Sequence, residues 1–123
     1  DSHRDLLKKV SKSNLFVLPS NKEGGGSIVT LEANSVGVPV LAIKSELGID
    51  NSLIKEDYNG FWCNGESPEA LSEKIMLIHD RIIKNRNYFR INCNNFAANY
   101  DIDYLSKDVL NCYNRVQKGI FFE

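Results

Sequence analysis

The chain has 123 residues, of which 42% are apolar and 25% are charged, with 15 basic side chains against 16 acidic ones. These proportions are typical of a globular protein, and the length suffices for one domain with a real core. Because the formal net charge is only −1, the composition offers no overall field that would attract nucleic acid or an anionic membrane, and we expect neither as a partner.

The cysteines and histidines are scattered rather than clustered. Cys63, Cys93 and Cys112 show no Cys-x-x-Cys spacing, which predicts reduced thiols in a cytoplasmic protein and no metal site. His3 and His79 are equally isolated, so we expect them to be solvated or to cap helices. No apolar stretch approaches the ~20 residues that span a bilayer, and no signal peptide opens the chain. The sequence therefore predicts no transmembrane segment.

Short apolar runs in the first half predict parallel strands. LLKKV at 6–10 predicts the end of a helix that leads into the first run, NLFVLP at 14–19. That run is stopped by a proline, and VPVLAI at 38–43 has the same character; both are typical of strands buried on both faces. GFWC at 60–63 follows an Asn-Gly turn signal and predicts a third, shorter strand.

The segment between the first two strands predicts a helix. Ile28, Leu31 and Val36 are spaced for one face of a helix of about ten residues that begins near Ser27. Gly37 stands at the C-terminal cap position, and a proline follows two residues later. Strand, helix and strand with short connections form a βαβ unit with parallel strands and a right-handed crossover.

The second half of the chain predicts three amphipathic helices. Ser67 is a good N-cap with a proline at the next position, and apolar residues then recur at helical spacing from Leu71 to Ile82. Two further helices are predicted by the same spacing, in the sets Phe89, Cys93, Phe96 and Tyr100, and Leu105, Val109, Cys112 and Val116. We expect all three to pack on the sheet or on a neighbouring domain.

Two or three strands are few for a complete α/β domain. Central parallel strands need neighbours on both sides, because otherwise their backbone groups form open, hydrophobic sheet edges. The sequence therefore predicts one partial α/β domain over residues 1–123. In it, residues 1–66 form the βαβ part and residues 67–123 form C-terminal helices.

The loop after the first strand carries three consecutive glycines. Gly24, Gly25 and Gly26 remove the Cβ atoms that keep a ligand away and permit positive φ, so that backbone N–H groups are free to point outward. The helix that begins near Ser27 and Ile28 adds unpaired N–H groups and the positive end of its dipole. This combination predicts a site for a phosphate or diphosphate. Without further context, the same pattern is often only a tight turn.

Glu23 and Glu32 flank this loop and need a separate explanation, since a carboxylate beside a phosphate would repel it. A carboxylate accepts two hydrogen bonds from a vicinal diol, and such charge-assisted bonds contribute about 1.5–3 kcal/mol each. Two sugars on either side of a diphosphate, one ribose and one transferred hexose, would account for the acids and the glycines together. The alternative is that both acids are solvated surface residues.

The runs FVLPSNKEGGGSIVTLEANSVGVPVLAI and NSLIKEDYNGFWCNGESPEALSEKI closely resemble the donor-binding C-terminal domain of retaining GT-B glycosyltransferases, the "glycosyl transferases group 1" family. The shared features include Pro-Ser, Glu-Gly, a helical Glu followed by Ala, Gly-x-Pro-Val, Asn-Gly and a Pro-Glu-Ala-Leu helix. The likeness covers residues 13 to about 84. It implies a partial Rossmann-like parallel sheet with flanking helices, the second half of a nucleotide-sugar-binding domain.

The resemblance also implies a role for each residue of the loop. It assigns Glu23 to hydroxyls of the donor sugar at the reaction centre and Glu32 to the ribose. It assigns the diphosphate and sugar to the backbone of Gly25, Gly26, Ser27 and Ile28, which follow Gly24 in the glycine loop. Eight residues separate the two acids, where the family has seven, and Gly25 stands where an aromatic is usual. These departures make the Glu23 assignment the weaker of the two.

The function implied by the resemblance is transfer of a sugar from a nucleotide-diphosphate sugar to an acceptor hydroxyl, in polysaccharide or glycolipid biosynthesis. The acceptor would be a sugar or a lipid-linked glycan, with no metal and no cofactor besides the donor. The family's acceptor-binding N-terminal domain and its diphosphate-neutralising Arg and Lys lie upstream, so we expect the chain alone to be inactive. The location implied is cytoplasmic, with the full-length enzyme peripheral to a membrane as one option. The competing hypothesis is a non-catalytic α/β module that binds a nucleotide or docks on a partner subunit.

Overall fold

The computed structural model describes residues 2–22 and 28–100. A sheet of three parallel strands lies at its centre in the order β1–β2–β3, with β1 at Phe16–Leu18, β2 at Val40–Ile43 and β3 at Gly60–Cys63. The prediction of an α/β fold with a parallel sheet of about three strands is confirmed.

Helices flank the sheet throughout the part of the chain that the structure describes. They are α1 at Ser2–Ser11, α2 at Ile28–Ser35, a 3-10 turn at Asn51–Leu53, α3 at Pro68–Lys84 and α4 at Arg86–Ala98. The N-cap predicted at Ser67 is confirmed, because its hydroxyl accepts the backbone N–H of Ala70 at 3.1 Å and Pro68 opens α3. The last predicted helix, at 105–116, lies outside the described residues.

The first strand differs from its prediction in length and in burial. The apolar run at 14–19 was expected to form a strand buried on both faces, but β1 covers only three residues and all three are half-buried. Among the described residues β1 pairs only with β2, so one of its edges is not covered by another strand. The middle strand β2 is buried at all four positions, as its sequence predicts.

Helix α2 ends in a Schellman motif at Gly37, whose φ of +84° lies in the left-handed region. The N–H of Val38 donates to the carbonyl of Ala33 at 3.0 Å, and the N–H of Gly37 donates to the carbonyl of Asn34 at 2.9 Å. A Cβ atom at position 37 would lie 2.9 Å from Cγ of Arg90. The backbone angle and the close approach of α4 both favour glycine here, which confirms the predicted cap.

Apolar side chains form a core on each face of the sheet, because the residues of β2 alternate between the faces. On one face, the core under α1 and α2 contains Val40 and Ala42 together with Ala33, Val38, Ile49, Leu53 and Ile54. On the other, the core under α3 and α4 contains Leu41, Phe61, Cys63, Ile78, Ile82 and Phe89. The apolar face predicted for α3 is confirmed, since Leu71 and Ile75 pack against the second core.

Two buried asparagines join the end of α2 to the turn before β3. Nδ2 of Asn59 donates to Oδ1 of Asn34 at 2.8 Å and to the carbonyl of Leu53 at 2.9 Å. Nδ2 of Asn34 donates to the carbonyls of Val38 at 3.0 Å and of Asn59 at 3.1 Å. Oδ1 of Asn59 accepts the N–H of Lys55 at 2.7 Å. Every side-chain amide atom of the pair thus has a partner, which offsets the cost of burying it.

The glycine that follows Asn59 is required by the close approach of β2 and β3. A Cβ atom at Gly60 would lie 2.3 Å from the carbonyl oxygen of Val40 and 3.1 Å from Cγ2 of Ile54. The first distance is far below any van der Waals contact, so a side chain at position 60 would push the two strands apart. The Asn-Gly pair is therefore a packing requirement as well as a turn signal.

We expect Asn59→Asp to be strongly destabilising. The substitution replaces the donor Nδ2 with a carboxylate oxygen that faces two acceptors, Oδ1 of Asn34 and the carbonyl of Leu53. The free energy of unfolding, measured by urea denaturation, should fall by more than about 3 kcal/mol. The matched control is Asn64→Asp at an exposed position, which should change stability by less than about 0.5 kcal/mol. Equal losses in the two variants would contradict the assigned network.

We also expect Cys93 to make stability depend on alkaline pH. Burial raises the pKa of the Cys93 thiol from 9.0 to about 12. The unfolded chain therefore releases this proton at a lower pH than the folded chain does, so the contribution is complete below pH 9 and is lost progressively towards pH 12. Urea denaturation across this range should show a steeper decline for the wild type than for Cys93→Ala. Identical slopes would show that the thiol does not titrate differently on folding.

Candidate functional site

The structure describes two of the predicted site residues, and both belong to α2. The others lie outside the described residues: Glu23, Gly24, Gly25, Gly26 and Ser27. Ile28 is the first residue of α2 and is 75% exposed, and Glu32 lies one turn further along the same helix. The roles assigned to these residues remain predictions.

The first turn of α2 has the polarity that an anion site needs. The helix follows β1 in the chain, so its N-terminus lies at the carboxyl end of that strand, where ligands of parallel α/β sheets bind. No acidic side chain stands in the first turn, so nothing in that turn of α2 neutralises the positive end of its dipole. Because Ile28 is exposed, the N-terminus of α2 is accessible to solvent on the side of the Ile28 side chain.

Glu32 is partly buried and has a specific partner. Oε2 of Glu32 contacts Nε2 of His3 in the first turn of α1, and 24% of the Glu32 side chain is exposed. His3 is solvated as predicted, since 64% of its side chain is exposed, and it also pairs with Glu32. Because His3 and Glu32 are far apart in sequence, helical spacing gave no signal for this contact. The contact does not test whether Glu32 binds a ribose.

The contact also places Glu32 along the sheet axis. Helix α1 ends at Ser11 and a short connection leads to the amino end of β1, so the first turn of α1 lies towards the carboxyl ends of the strands. Since His3 belongs to that first turn, its partner Glu32 lies towards the same end. The carboxylate is thus on the side of the sheet where β1 ends.

An open cleft of about 560 Å³ lies along α2 and the end of α4, two helices that pack against each other, and Glu32 forms part of its wall. The cleft is lined by Leu31, Glu32, Ser35, Asn94, Ala97, Ala98 and Tyr100. Its volume is within the range of clefts that hold nucleotide-sized ligands. The hydroxyl of Ser35 donates to the carbonyl of Glu32 at 2.6 Å, which leaves the Glu32 carboxylate, the Asn94 amide and the Tyr100 hydroxyl as polar side-chain groups of the lining available to a ligand.

A second polar cluster, around Asp57, joins helices rather than forming a site. Nε and Nη2 of Arg81 donate to the two carboxylate oxygens of Asp57 at 2.9 and 2.8 Å, and the hydroxyl of Tyr88 donates to the Asp57 carbonyl at 3.1 Å. These hydrogen bonds to Asp57 raise the pKa of Arg81. Asp57 has a φ of 61°, in the left-handed region. The cluster therefore fixes a strained turn against α3 and α4.

Trp62, in β3, has a packing role. Its ring packs against the core under α1 and α2, and its Nε1–H donates to the carbonyl of Ile54 at 3.1 Å. Its backbone N–H donates to Oε1 of Glu56 at 2.7 Å, and Lys74 contacts the other oxygen of Glu56 at 3.2 Å. Both N–H groups of Trp62 thus have partners within the fold.

Neither a metal site nor a membrane-spanning helix is found in the part of the chain that the structure describes. Within residues 2–22 and 28–100, no three His, Cys, Asp or Glu side chains come close enough together to hold a metal ion. No helix in those segments has the length and apolar character needed to cross a bilayer. Cys63 and Cys93 are buried as free thiols, whereas Cys112 lies outside the described residues.

We expect the His3–Glu32 contact to contribute little to stability, because the His3 side chain is 64% exposed. His3→Ala should lower the free energy of unfolding by less than about 1 kcal/mol in urea denaturation. His79→Ala is the matched control, since His79 forms a similarly exposed contact with Asp80 at 3.2 Å. A loss above about 2 kcal/mol for His3→Ala alone would mean that the contact holds α1 in place.

The chain is similar to known glycosyltransferases. The family model described as "Glycosyl transferases group 1" matches residues 1–96. The chain is 31% identical, over 94% of its length, to the N,N'-diacetylbacillosaminyl-diphospho-undecaprenol alpha-1,3-N-acetylgalactosaminyltransferase of Campylobacter jejuni, of which it covers 30%. It is 32% identical, over 89% of its length, to an uncharacterized glycosyltransferase of Methanocaldococcus jannaschii, of which it covers 27%.

The chain thus spans less than a third of the length of these two curated relatives. The family match includes all three strands and both candidate site residues that the structure describes. Since that match extends over more than half of the 123 residues, the chain belongs to the glycosyl transferases group 1 family.

Proposed function

We propose that this chain is part of the donor-binding domain of a retaining GT-B glycosyltransferase, which transfers a sugar from a nucleotide-diphosphate sugar to an acceptor hydroxyl. The observation that carries the proposal is the position of Glu32, a partly buried carboxylate beside an open cleft at the ligand-binding end of a parallel sheet. Family membership supports the same activity and does not favour the alternative of a non-catalytic module.

Glu32 has the chemistry to bind the ribose of the donor. Its Oε2 contacts His3, whereas Oε1 makes no hydrogen bond to another described residue. Each hydroxyl of a vicinal diol can donate a hydrogen bond to one carboxylate oxygen. A ribose in the cleft would therefore donate one hydrogen bond to Oε1 and a second to Oε2, where it would share or replace the contact with His3. His3 would then keep the carboxylate in place until the nucleotide arrives.

The diphosphate is proposed to bind at the start of α2. In this proposal the backbone N–H groups of residues 24–28 and the helix dipole stabilise the negative charge that develops as the diphosphate leaves. Glu23 contacts hydroxyls of the transferred sugar next to the anomeric carbon. The acceptor hydroxyl attacks that carbon from the face that the diphosphate leaves, and closure of the full-length enzyme excludes water. No metal is needed in this scheme, because backbone donors and cationic side chains from elsewhere in the enzyme neutralise the diphosphate.

The class of acceptor is inferred from a relative. The Campylobacter jejuni protein is named as a transferase that acts on a sugar linked to diphospho-undecaprenol. By analogy we infer that the acceptor here is a lipid-linked glycan or a sugar, and that the enzyme works in polysaccharide or glycolipid biosynthesis. We place the enzyme in the cytoplasm, peripheral to the membrane that holds such an acceptor. Buried free thiols at Cys63 and Cys93 fit a reducing compartment.

Binding of nucleoside diphosphates tests the role of Glu32. We expect the chain to bind at least one of UDP, GDP and ADP in calorimetric titration, and to prefer it to its deoxyribose counterpart. Glu32→Ala should weaken binding of the ribonucleotide by about tenfold or more, because a charge-assisted hydrogen bond is lost, and should abolish the preference. The matched control is Glu73→Ala, at an exposed position on α3, which should change neither property.

Two results would contradict the ribose assignment. One is unchanged affinity in Glu32→Ala, and the other is equal affinity of the wild type for the ribo- and deoxyribonucleotide. Loss of affinity together with loss of helical circular dichroism would indicate unfolding instead, so Glu32→Gln should be measured in parallel. It keeps the length of the side chain and removes the negative charge, and we expect it to lose the ribose preference while remaining folded.

A further inference from the structure

A second, polar cavity of about 150 Å³ lies at the amino ends of the strands. Its walls come from residues 11–14, which precede β1, from Gly37 and Pro39, which precede β2, and from the start of α4. Because these segments enter the amino ends of parallel strands, the cavity is separated from the carboxyl ends by the length of the sheet. It is therefore distinct from the candidate donor site.

Three cationic side chains line this cavity, and no acidic side chain does. They are Lys12 after α1, and Arg86 and Arg90 on successive turns of α4. None of the three forms an ion pair or a side-chain hydrogen bond with another residue that the structure describes. Arg81, by contrast, is held by Asp57 in a bidentate pair. The cavity thus gathers positive charges that lack a counter-charge within the described fold.

The surrounding sequence reinforces the positive charge. Residues 6–22 and 81–100 contain no Asp or Glu, although they carry eight of the chain's 15 Lys and Arg residues. The two segments are distant in sequence, and the fold brings parts of both to one cavity. A net charge of −1 therefore conceals a positive region at the amino ends of the strands.

Neutral groups at the cavity complete a set of hydrogen-bond donors. Asn14 lines the wall and makes no side-chain hydrogen bond within the described residues. Helix α4 begins at Arg86, its cap residue Asn85 makes no side-chain capping bond, and its first turn holds no acidic residue. Amide and guanidinium N–H groups can therefore reach the same volume, and guanidinium groups bind phosphate oxygens in a bidentate manner.

We propose that this cavity is a binding site for a phosphate group, held by Lys12, Arg86 and Arg90. The volume of about 150 Å³ suits a phosphate and is too small for a nucleotide. The phosphate is either a free anion or the headgroup of an anionic lipid, since both present the same oxygens. Binding relieves the mutual repulsion of the three cations, so the ligand stabilises the fold.

The first test is titration of the 123-residue chain with inorganic phosphate against chloride at constant ionic strength. We expect backbone amide NMR shifts concentrated at Lys12, Gly37, Arg86 and Arg90, and a rise in the thermal unfolding midpoint. In the double variant Arg86→Gln/Arg90→Gln the affinity should fall by about tenfold or more. Glutamine keeps the Cγ atom that lies next to Gly37, so the packing of α4 is retained.

The matched control is Lys8→Gln/Lys9→Gln, which removes the same charge from exposed positions of α1 outside the cavity. We expect its affinity for phosphate to remain within about twofold of the wild type, because general screening affects both variants alike. Glu32→Ala should also bind phosphate as the wild type does. The cavity is thereby tested separately from the proposed donor site, and failure of one leaves the other standing.

The second test distinguishes the source of the phosphate. Co-sedimentation with phosphatidylglycerol vesicles that is lost in Arg86→Gln/Arg90→Gln, with phosphatidylcholine vesicles as the reference, would assign the site to a lipid headgroup. Binding of inorganic phosphate without vesicle binding would assign it to a free anion. Absence of both, or equal binding by the wild type and the double variant, would overturn the proposal.

Discussion

The pair of buried asparagines, Asn34 and Asn59, is the interaction on which the rest of the described fold depends. It ties the last turn of α2 to the turn that feeds β3, and Asn59 also accepts the N–H of Val40 at 3.3 Å. Because all its side-chain amide atoms have partners, the pair accepts only one arrangement of α2, β2 and β3. The direction of α2 fixes where its first turn and Glu32 lie, so a polar contact at the amino ends of the strands positions the candidate site at their carboxyl ends.

Local pattern predicted the elements well, because the signals that define them are close together in sequence. The proline after Ser67, the glycine at 37 and the apolar spacing of α3 each act within one or two helical turns, and each is found as expected. The half-burial of β1 was not predictable in the same way, since burial depends on which strands are neighbours. The parallel pairing of β1 and β2 was also predictable, because a single short helix, α2, connects the two strands.

Contacts between residues that are distant in sequence could not be predicted from the sequence. His3 meets Glu32, and Lys12 lies near Arg86 and Arg90, only because the fold brings three helices to the sheet, and no spacing rule links such positions. The hydrogen bond between Asn34 and Asn59 was equally unpredictable, because the sequence indicates only that one lies in a helix and the other in a turn. For the site, residue types and family likeness gave the chemistry, whereas the structure added that Glu32 is partly buried, paired and next to a cleft. The two ends of the sheet are thus chemically different.

The turn before β3 covers the start of the outer edge of that strand. The Asp57 N–H donates to the carbonyl of Gly60 at 2.9 Å, and Glu56 accepts the N–H of Trp62, so the outer side of β3 has its first hydrogen-bonding groups occupied by its own chain. No such cover is found along β1 in the part of the chain that the structure describes. Among the described residues, the turn thus partly closes the outer side of β3 to a further strand, whereas the outer edge of β1 is left open for one to pair with it.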